Sequence, residues 1–188
     1  MKIGLVLSNP PAYSETFFNS KIKGLMQHGF EVELFVQECK SEYAICKVHV
    51  SYPIIQRNLL FQMTWFVIVY LKLLFHLKSV IKYIRLERSD SVSWKLIFKK
   101  LYSNAHLLMA KLDWLHFGFA TMALGKENTA KSIGAKMAVS LRGYDINVYP
   151  LKFPNCYNLV WEKVDKIHSI SKDLLHKAYQ LGLFEQCS

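Results

Sequence analysis

The stretch Lys2-Ile-Gly-Leu-Val-Leu-Ser-Asn-Pro-Pro-Ala-Tyr-Ser-Glu-Thr-Phe17, read on through Gly29 to Glu31-Val-Glu-Leu-Phe-Val36, decides the fold. Lys2 to Leu7 is apolar almost throughout, as a strand buried on both faces of a parallel sheet must be. Pro10 and Pro11 force an extended loop. Ser14 is placed to cap a helix whose first turn carries Glu15, the favourable charge at that end. Phe17, Phe18, Ile22, Leu25 and Met26 supply the apolar face of that helix, and His28-Gly29 stops it. Glu31 to Val36 follows at once as a second strand, in which Val32, Leu34 and Val36 alternate with Glu31 and Glu33. A strand, helix and strand closing within about 36 residues open a Rossmann-like fold.

Downstream the pattern weakens, with Ile45 to Val50 as a third strand, and then turns helical from Asn58 to roughly Leu86. Met63 to Leu71 is strongly apolar, but Lys72, His76 and Lys78 interrupt it well short of the ~20 apolar residues that a membrane span needs. Beyond it Leu73, Leu77, Val80, Ile81 and Ile84 share one helical face, and Lys78, Lys82 and Arg85 share another. A second basic helix covers Ser93 to Lys111. Alternation then resumes: a strand at Asp113 to Phe117, a helix at Ala120 to Ile133 and a strand at Lys136 to Leu141. Lys166 to Ile170 is another strand, and Ser171 caps a last helix ending at Gly182. Six strands interleaved with helices predict an α/β, doubly wound parallel sheet. The expectation is one Rossmann-like domain over residues 1–188 with a basic helical insertion at about 56–111. Phe184 to Ser188 supplies no closing element.

The chain carries a formal net charge of +10. Between Gln56 and Lys111 ten Lys and Arg face only Glu87 and Asp90, an excess of +8, so the positive field is local. Such a field implies an anionic surface or ligand, and composition alone leaves membrane, nucleic acid and sugar phosphate open. Cys39, Cys46, Cys156 and Cys187 show neither a CxxC pair nor zinc spacing and read as reduced thiols. The apolar run after Met1 is too short for an export signal, so the protein is expected to stay inside the cell.

Ligands of open parallel sheets sit beyond the carboxyl ends of the strands. The first such loop, Asn9 to Phe17, has no glycine, so the usual close seat for a dinucleotide pyrophosphate fails. Free N–H groups after Ser14 could still meet an anion. His116 closes the strand Trp114-Leu-His-Phe-Gly118, beside a glycine that would let a ligand approach. In Arg142-Gly-Tyr-Asp145 the arginine offers a rigid donor fork, Gly143 permits a turn, and Asp145 can accept from hydroxyls. There is no GxSxG elbow, no Walker-type GKT/S and no Cys/His pair at metal spacing. No RNP, KH or helix-turn-helix pattern supports a nucleic-acid partner.

Taken in order, Lys2-Ile-Gly-Leu-Val, Tyr13-Ser-Glu-Thr-Phe-Phe and Leu25-Met-Gln-His-Gly-Phe-Glu-Val, then Asp113-Trp-Leu-His-Phe-Gly, Ser140-Leu-Arg-Gly-Tyr-Asp-Ile and Asp165-Lys-Ile-His-Ser-Ile-Ser171, resemble glycosyltransferase family 4 over nearly all 188 residues. The resemblance is greatest to bacterial members building exopolysaccharide, colanic-acid-type and other surface glycans. It implies the N-terminal, acceptor-side half of a GT-B fold, without the C-terminal domain that grips a nucleotide-sugar, and hence a chain inactive alone. It also implies transfer with retention, a nucleotide-sugar as co-substrate, a glycan or lipid-linked acceptor, and no metal or other cofactor. On that analogy His116 and Asp145 are catalytic, while Ser14, Glu15, Thr16, Arg142 and Gly143 contact substrate. Arg142 stands where many relatives carry histidine, which favours acceptor or phosphate contact over base chemistry. Lys78, Lys82, Arg85, Lys95, Lys99 and Lys100 are expected to dock the chain on an anionic membrane, peripherally on the inner face of the cytoplasmic membrane. The alternative is a non-catalytic glycan- or membrane-binding module of the same fold.

Overall fold

The computed structural model describes residues 1–11, 16–39, 42–55 and 58–184. Six parallel strands form one sheet: β1 (Lys2–Val6), β2 (Glu31–Val36), β3 (Lys47–Val50), β4 (Trp114–Phe117), β5 (Lys136–Leu141) and β6 (Lys166–Ser169). Their order is β3-β2-β1-β4-β5-β6, so the winding reverses between β1 and β4. That reversal opens a crevice at the strand ends, where ligands of such sheets bind. The register sets His116 beside Leu5 of β1 and Ala138 of β5, and Ser140 beside His168 of β6.

One face of the sheet is covered by α1 (Thr16–Gln27), whose Phe18 and Ile22 are buried against Leu5, Leu7, Val32 and Leu34. Gly29, at φ 81°, ends this helix in the left-handed conformation that glycine adopts without steric cost. On the opposite face Val6, Phe35, Phe117, Val139 and Leu141 pack against the remaining helices. β2 is buried from Val32 to Val36, without the half-polar alternation of its sequence. Glu33 is tolerated there because Lys2 and His49 lie 2.9 and 3.0 Å from its carboxylate oxygens.

The segment expected as one helix from Asn58 to Leu86 is two, α2 (Leu59–Leu74) and α3 (Leu77–Ser89), bent by 105°. No Pro or Gly marks the break. The bend swings Tyr83 of α3 into a core shared with Val69 and Leu73 of α2 and with Ile97 and Leu101 of α4 (Trp94–Ser103), so tertiary burial overrides helical continuity. Asn104 separates α4 from α5 (Ala105–Leu108) and donates to Tyr83 Oη and the Gly125 carbonyl. The helix expected over Ala120 to Ile133 is likewise divided, into α6 (Ala120–Ala123) and α7 (Thr129–Ile133), at a turn holding Gly125 with φ 74°. Three short helices that the sequence pattern did not announce, α8 (Gly143–Asn147), α9 (Tyr149–Lys152) and α10 (Asn158–Lys163), link β5 to β6. Ser171 caps the last helix, α11 (Lys172–Gln180), by accepting from the Leu174 N–H.

Among the described residues, no single helix is long and apolar enough to cross a membrane; α2 and α3 pass that test only together, as a bent pair.

Candidate functional site at the strand ends

Strand alternation sends Leu115 and Phe117 into the core and His116 to the α1 side. There Lys21, on the last buried turn of α1, places Nζ 3.3 Å from His116 Nε2. His116 Nε2 is 2.8 Å from Ser140 Oγ, which is 3.3 Å from His168 Nδ1. Four side chains from α1, β4, β5 and β6 thus form one line across the reversal point. An ammonium only donates, so Nε2 is the accepting nitrogen of His116 and its ring proton is assigned to Nδ1. Burial, then the nearby charge of Lys21, pushes His116 down to about 3, so the imidazole is neutral at physiological pH. Burial, then Arg142, draws Lys21 down to about 8. His168 is lowered by the same causes, burial first.

Arg142 precedes α8 and lays its guanidinium over Phe17, 4.1 Å from the ring centroid, with Phe18 at 5.4 Å. The stacking fixes the donor fork without neutralising it. Its buried Nε has no hydrogen-bond partner among the described residues. Among the described residues, neither Lys21 nor Arg142 has a carboxylate within ion-pair distance. Two cations and two neutral histidines, with no carboxylate in ion-pair reach among the described residues and Asp145 acting on Arg142 only from farther off, make a place suited to an anion, or to hydroxyls presented as acceptors.

Asp145 is 1% exposed. Its oxygens accept from the Ala120 and Thr121 N–H groups, both at 3.3 Å, and from Thr121 Oγ at 2.8 Å. The carboxylate therefore serves the first turn of α6, and burial raises its pKa against those bonds. Tyr157 also donates to the Asp145 carbonyl, tying α8 to the core. Gly143 starts α8 rather than making a special turn, and a side chain there would meet only Asn147 Nδ2, at 3.9 Å. Gly118 serves packing, not ligand approach: a Cβ would overlap Leu7 and come within 2.8 Å of Phe18. Thr16 is exposed at the start of α1, and Ser14 and Glu15 lie outside the described residues.

Of the six residues expected to meet a membrane, Lys78, Lys82, Arg85, Lys95 and Lys99 are exposed. Lys100 departs from that expectation. It turns inward to the fully buried Glu87, with Glu127 at 3.6 Å, because Glu87 could not be buried unpaired. No group of three or more His, Cys, Asp or Glu among the described residues could hold a metal ion.

Lys21 escaped the reading of the sequence, as did the part played by Ser140 and His168. A signal was available: Lys21 stands three residues after Phe18 and one before Ile22, the buried positions of α1, so helical phase carries it to the edge of the sheet contact. Alternation likewise puts Ser140 opposite Val139 and Leu141, on the face of His116.

No protein-family profile matches the sequence, and no curated protein does. Solved structures do match. Sucrose-phosphate synthase from Thermosynechococcus elongatus superposes with a TM-score of 0.51 at 12% identity, over all of this chain and 83% of that one. The lipopolysaccharide outer core galactosyltransferase WaaB, in its apo form, gives 0.50 at 12%, over all of this chain and 44% of its own. The fold is thus a Rossmann-like α/β domain of the kind carried by glycosyltransferases of GT-B fold. The chain spans less than half the length of the galactosyltransferase.

Proposed function

We propose that this chain is the acceptor-side domain of a retaining glycosyltransferase that moves a sugar from a nucleotide-sugar to a surface-glycan or lipid-linked acceptor. The observation that carries the reading is Lys21 and Arg142, neither of them ion-paired among the described residues, beside neutral His116 at the strand ends. In this reading Arg142 and Lys21 receive phosphate or acceptor oxygens, and Thr16 and Gly143 line the same cleft; the further candidates Ser14 and Glu15 lie outside the described residues. His116 contacts a hydroxyl through an imidazole held neutral, and its low pKa makes it an orienting acceptor rather than a strong base. Asp145 acts through position: it holds α6 and α8 together and so sets the angle at which Arg142 enters the site. The nucleotide-sugar, the only co-substrate required, would be gripped largely by a second domain, so the chain alone is inactive, and no metal is needed.

The test supplies a donor-binding domain to the chain and follows transfer of labelled sugar from nucleotide-sugars to membrane-extracted acceptors. Transfer that Arg142→Ala and His116→Ala each reduce at least tenfold supports the reading. Acceptor binding without any transfer points instead to a glycan- or membrane-binding module, and transfer untouched by either substitution removes both residues from the site.

The outer helical face favours a membrane-associated acceptor and a place on the inner face of the cytoplasmic membrane. Leu59, Leu60, Phe61, Val67, Leu71 and Phe75 are all exposed, Leu60 at 80% and Phe75 at 88%. Lys78, Lys82, Arg85, Lys95 and Lys99 lie on the adjoining helices α3 and α4. An apolar patch rimmed by cations suits an anionic bilayer, where each basic residue near the surface contributes about 1 kcal/mol. Sedimentation with vesicles containing phosphatidylglycerol, and not with phosphatidylcholine vesicles, is the expected result; equal sedimentation with neither overturns it.

A further inference from the structure

His116 Nε2, as the accepting nitrogen of a neutral ring, carries one in-plane lone pair, and two donors approach it. Ser140 Oγ lies 2.8 Å away and Lys21 Nζ 3.3 Å away. A hydroxyl donor makes its good bonds at about 2.7–2.8 Å, so the lone pair belongs to Ser140 and the ammonium is left at long range. Among the described residues, Lys21 Nζ has no other hydrogen-bond partner than that nitrogen.

Ser140 has a second neighbour, His168 Nδ1, at 3.3 Å. That separation is long for a bond donated by the hydroxyl and nearer to what a ring N–H makes. The groups therefore point one way: His168 Nδ1–H donates to Ser140 Oγ and Ser140 O–H to His116 Nε2, each bond polarising the next. Register sets up the line, because the three residues stand on the adjacent strands β4, β5 and β6, with Ser140 paired to His168. Ser140 is fully buried, so no water competes for its hydroxyl. The charged groups facing the line are Lys21 on α1 and Arg142 after β5. Burial first, then nearby positive charge, favours the neutral form of both rings. A neutral imidazole has one N–H to place, so each ring has a defined tautomer.

We infer that Ser140 is the positioning residue of the strand-end site: its hydroxyl occupies the accepting nitrogen of His116, fixes His168 as the Nδ1–H tautomer, and leaves the Lys21 ammonium without a committed acceptor. The inference rests on the anion-binding reading of that site and deepens it. An ammonium whose neighbouring acceptor is already engaged gains more from an arriving anion than one that must first give up a good bond.

The test reads the ring nitrogens of isotope-labelled histidine by NMR near neutral pH, and the Lys21 Cε resonance across a pH titration. It compares the wild-type chain with Ser140→Ala, Ser140→Thr and Lys21→Met. Both His116 and His168 are expected to carry the proton on Nδ1 in the wild type. In Ser140→Ala, His168 is expected to move its proton to Nε2, while Lys21 takes over the His116 lone pair and its pKa rises by about half a unit or more. Pyrophosphate, which must then compete with that bond, is expected to bind roughly threefold more weakly, the same half-unit expressed as affinity. Ser140→Thr, which keeps the hydroxyl, is expected to restore all three readouts, and Lys21→Met to leave both tautomers as they are.

A wild-type His168 protonated on Nε2 would mean that the hydroxyl points the other way and would overturn the inference, a readout that holds even if a variant fails to fold. An unmoved Lys21 pKa and unchanged pyrophosphate affinity in folded Ser140→Ala would leave Ser140 a packing role only and would also overturn it. So would a change of the His116 tautomer in Lys21→Met, which would assign that ring to Lys21. The expected tautomers in a wild-type chain that does not bind pyrophosphate would remove the anion reading, and with it the role given to Lys21, so the two failures are told apart.

Discussion

Lys100 and Lys21 are both drawn into the protein, and the fold handles them in opposite ways. Lys100 sits in a closed network with Glu87 and Glu127. Alongside it Asn128 donates to Glu87 and Asp90, at 3.2 and 2.7 Å, and Lys163 lies 3.1 Å from Asp90. These contacts set two ammonium groups against three carboxylates and fasten α3 to α4, α7 and α10. Lys21 has a second cation, Arg142, and two histidines for neighbours, and burial first, then the Arg142 charge, lowers its pKa. A structural cluster pairs its charges internally; one left open at the carboxyl ends of a parallel sheet is where the proposed function places a ligand. The difference separates two basic regions that composition alone merges into one net charge of +10.

The contrast breaks most visibly at Lys100. Replacing it by Met leaves the fully buried Glu87 without its partner, and the expected loss is about 3–5 kcal/mol of unfolding free energy in a urea titration. A loss below about 1 kcal/mol would mean that the network is not closed as described.

Acid sharpens the comparison next. His116 and His106 are held neutral, at about 3 and about 4, below the usual histidine value. The unfolded chain therefore binds more protons than the folded one as pH falls below about 6.5, so stability present above that pH is lost on acidification. The expected slope is about 1.4 kcal/mol per pH unit for each histidine in that window. His116→Gln should remove one proton from the slope, read by chemical denaturation between pH 7 and about 4.5.

Gly118 tests how firmly α1 is held against the sheet. A methyl there must displace Leu7 and Phe18, so Gly118→Ala is expected to cost about 1–3 kcal/mol and, by shifting Phe17 and Phe18, to loosen Arg142. The smallest effect belongs to Lys21. Lys21→Met removes a cation that no carboxylate among the described residues pairs, so stability should change by less than about 1 kcal/mol or rise. Transfer by the whole enzyme should fall. The pair Lys100→Met and Lys21→Met thus inverts stability against function.

Much of this was legible in residue order. β2 and β5 run over the residues that apolar patterning assigns, and His116 and Arg142 stand at strand ends because alternation and glycine punctuation put them there. What could not be read depends on contacts distant in sequence. Nothing local marks the bend at Phe75 and His76, which arises because Tyr83 finds a core with Ile97 and Leu101. Lys100 is indistinguishable from Lys99 by type, and only the burial of Glu87, 13 residues earlier, turns it inward. Asp145 looks like a ligand-facing carboxylate until Ala120 and Thr121, some 25 residues before it, are seen to occupy its oxygens. Lys21 reads as one more helix lysine because its partner, His116, is 95 residues away.

The most direct measurement is the pKa of Lys21 itself, followed through its Cε resonance with and without pyrophosphate at constant ionic strength. A value of about 8 in the free chain, rising by at least a unit as pyrophosphate binds and rising less in Arg142→Met, is what an uncompensated anion site requires. A free-chain value in the ordinary lysine range, or one that pyrophosphate does not move, would contradict it.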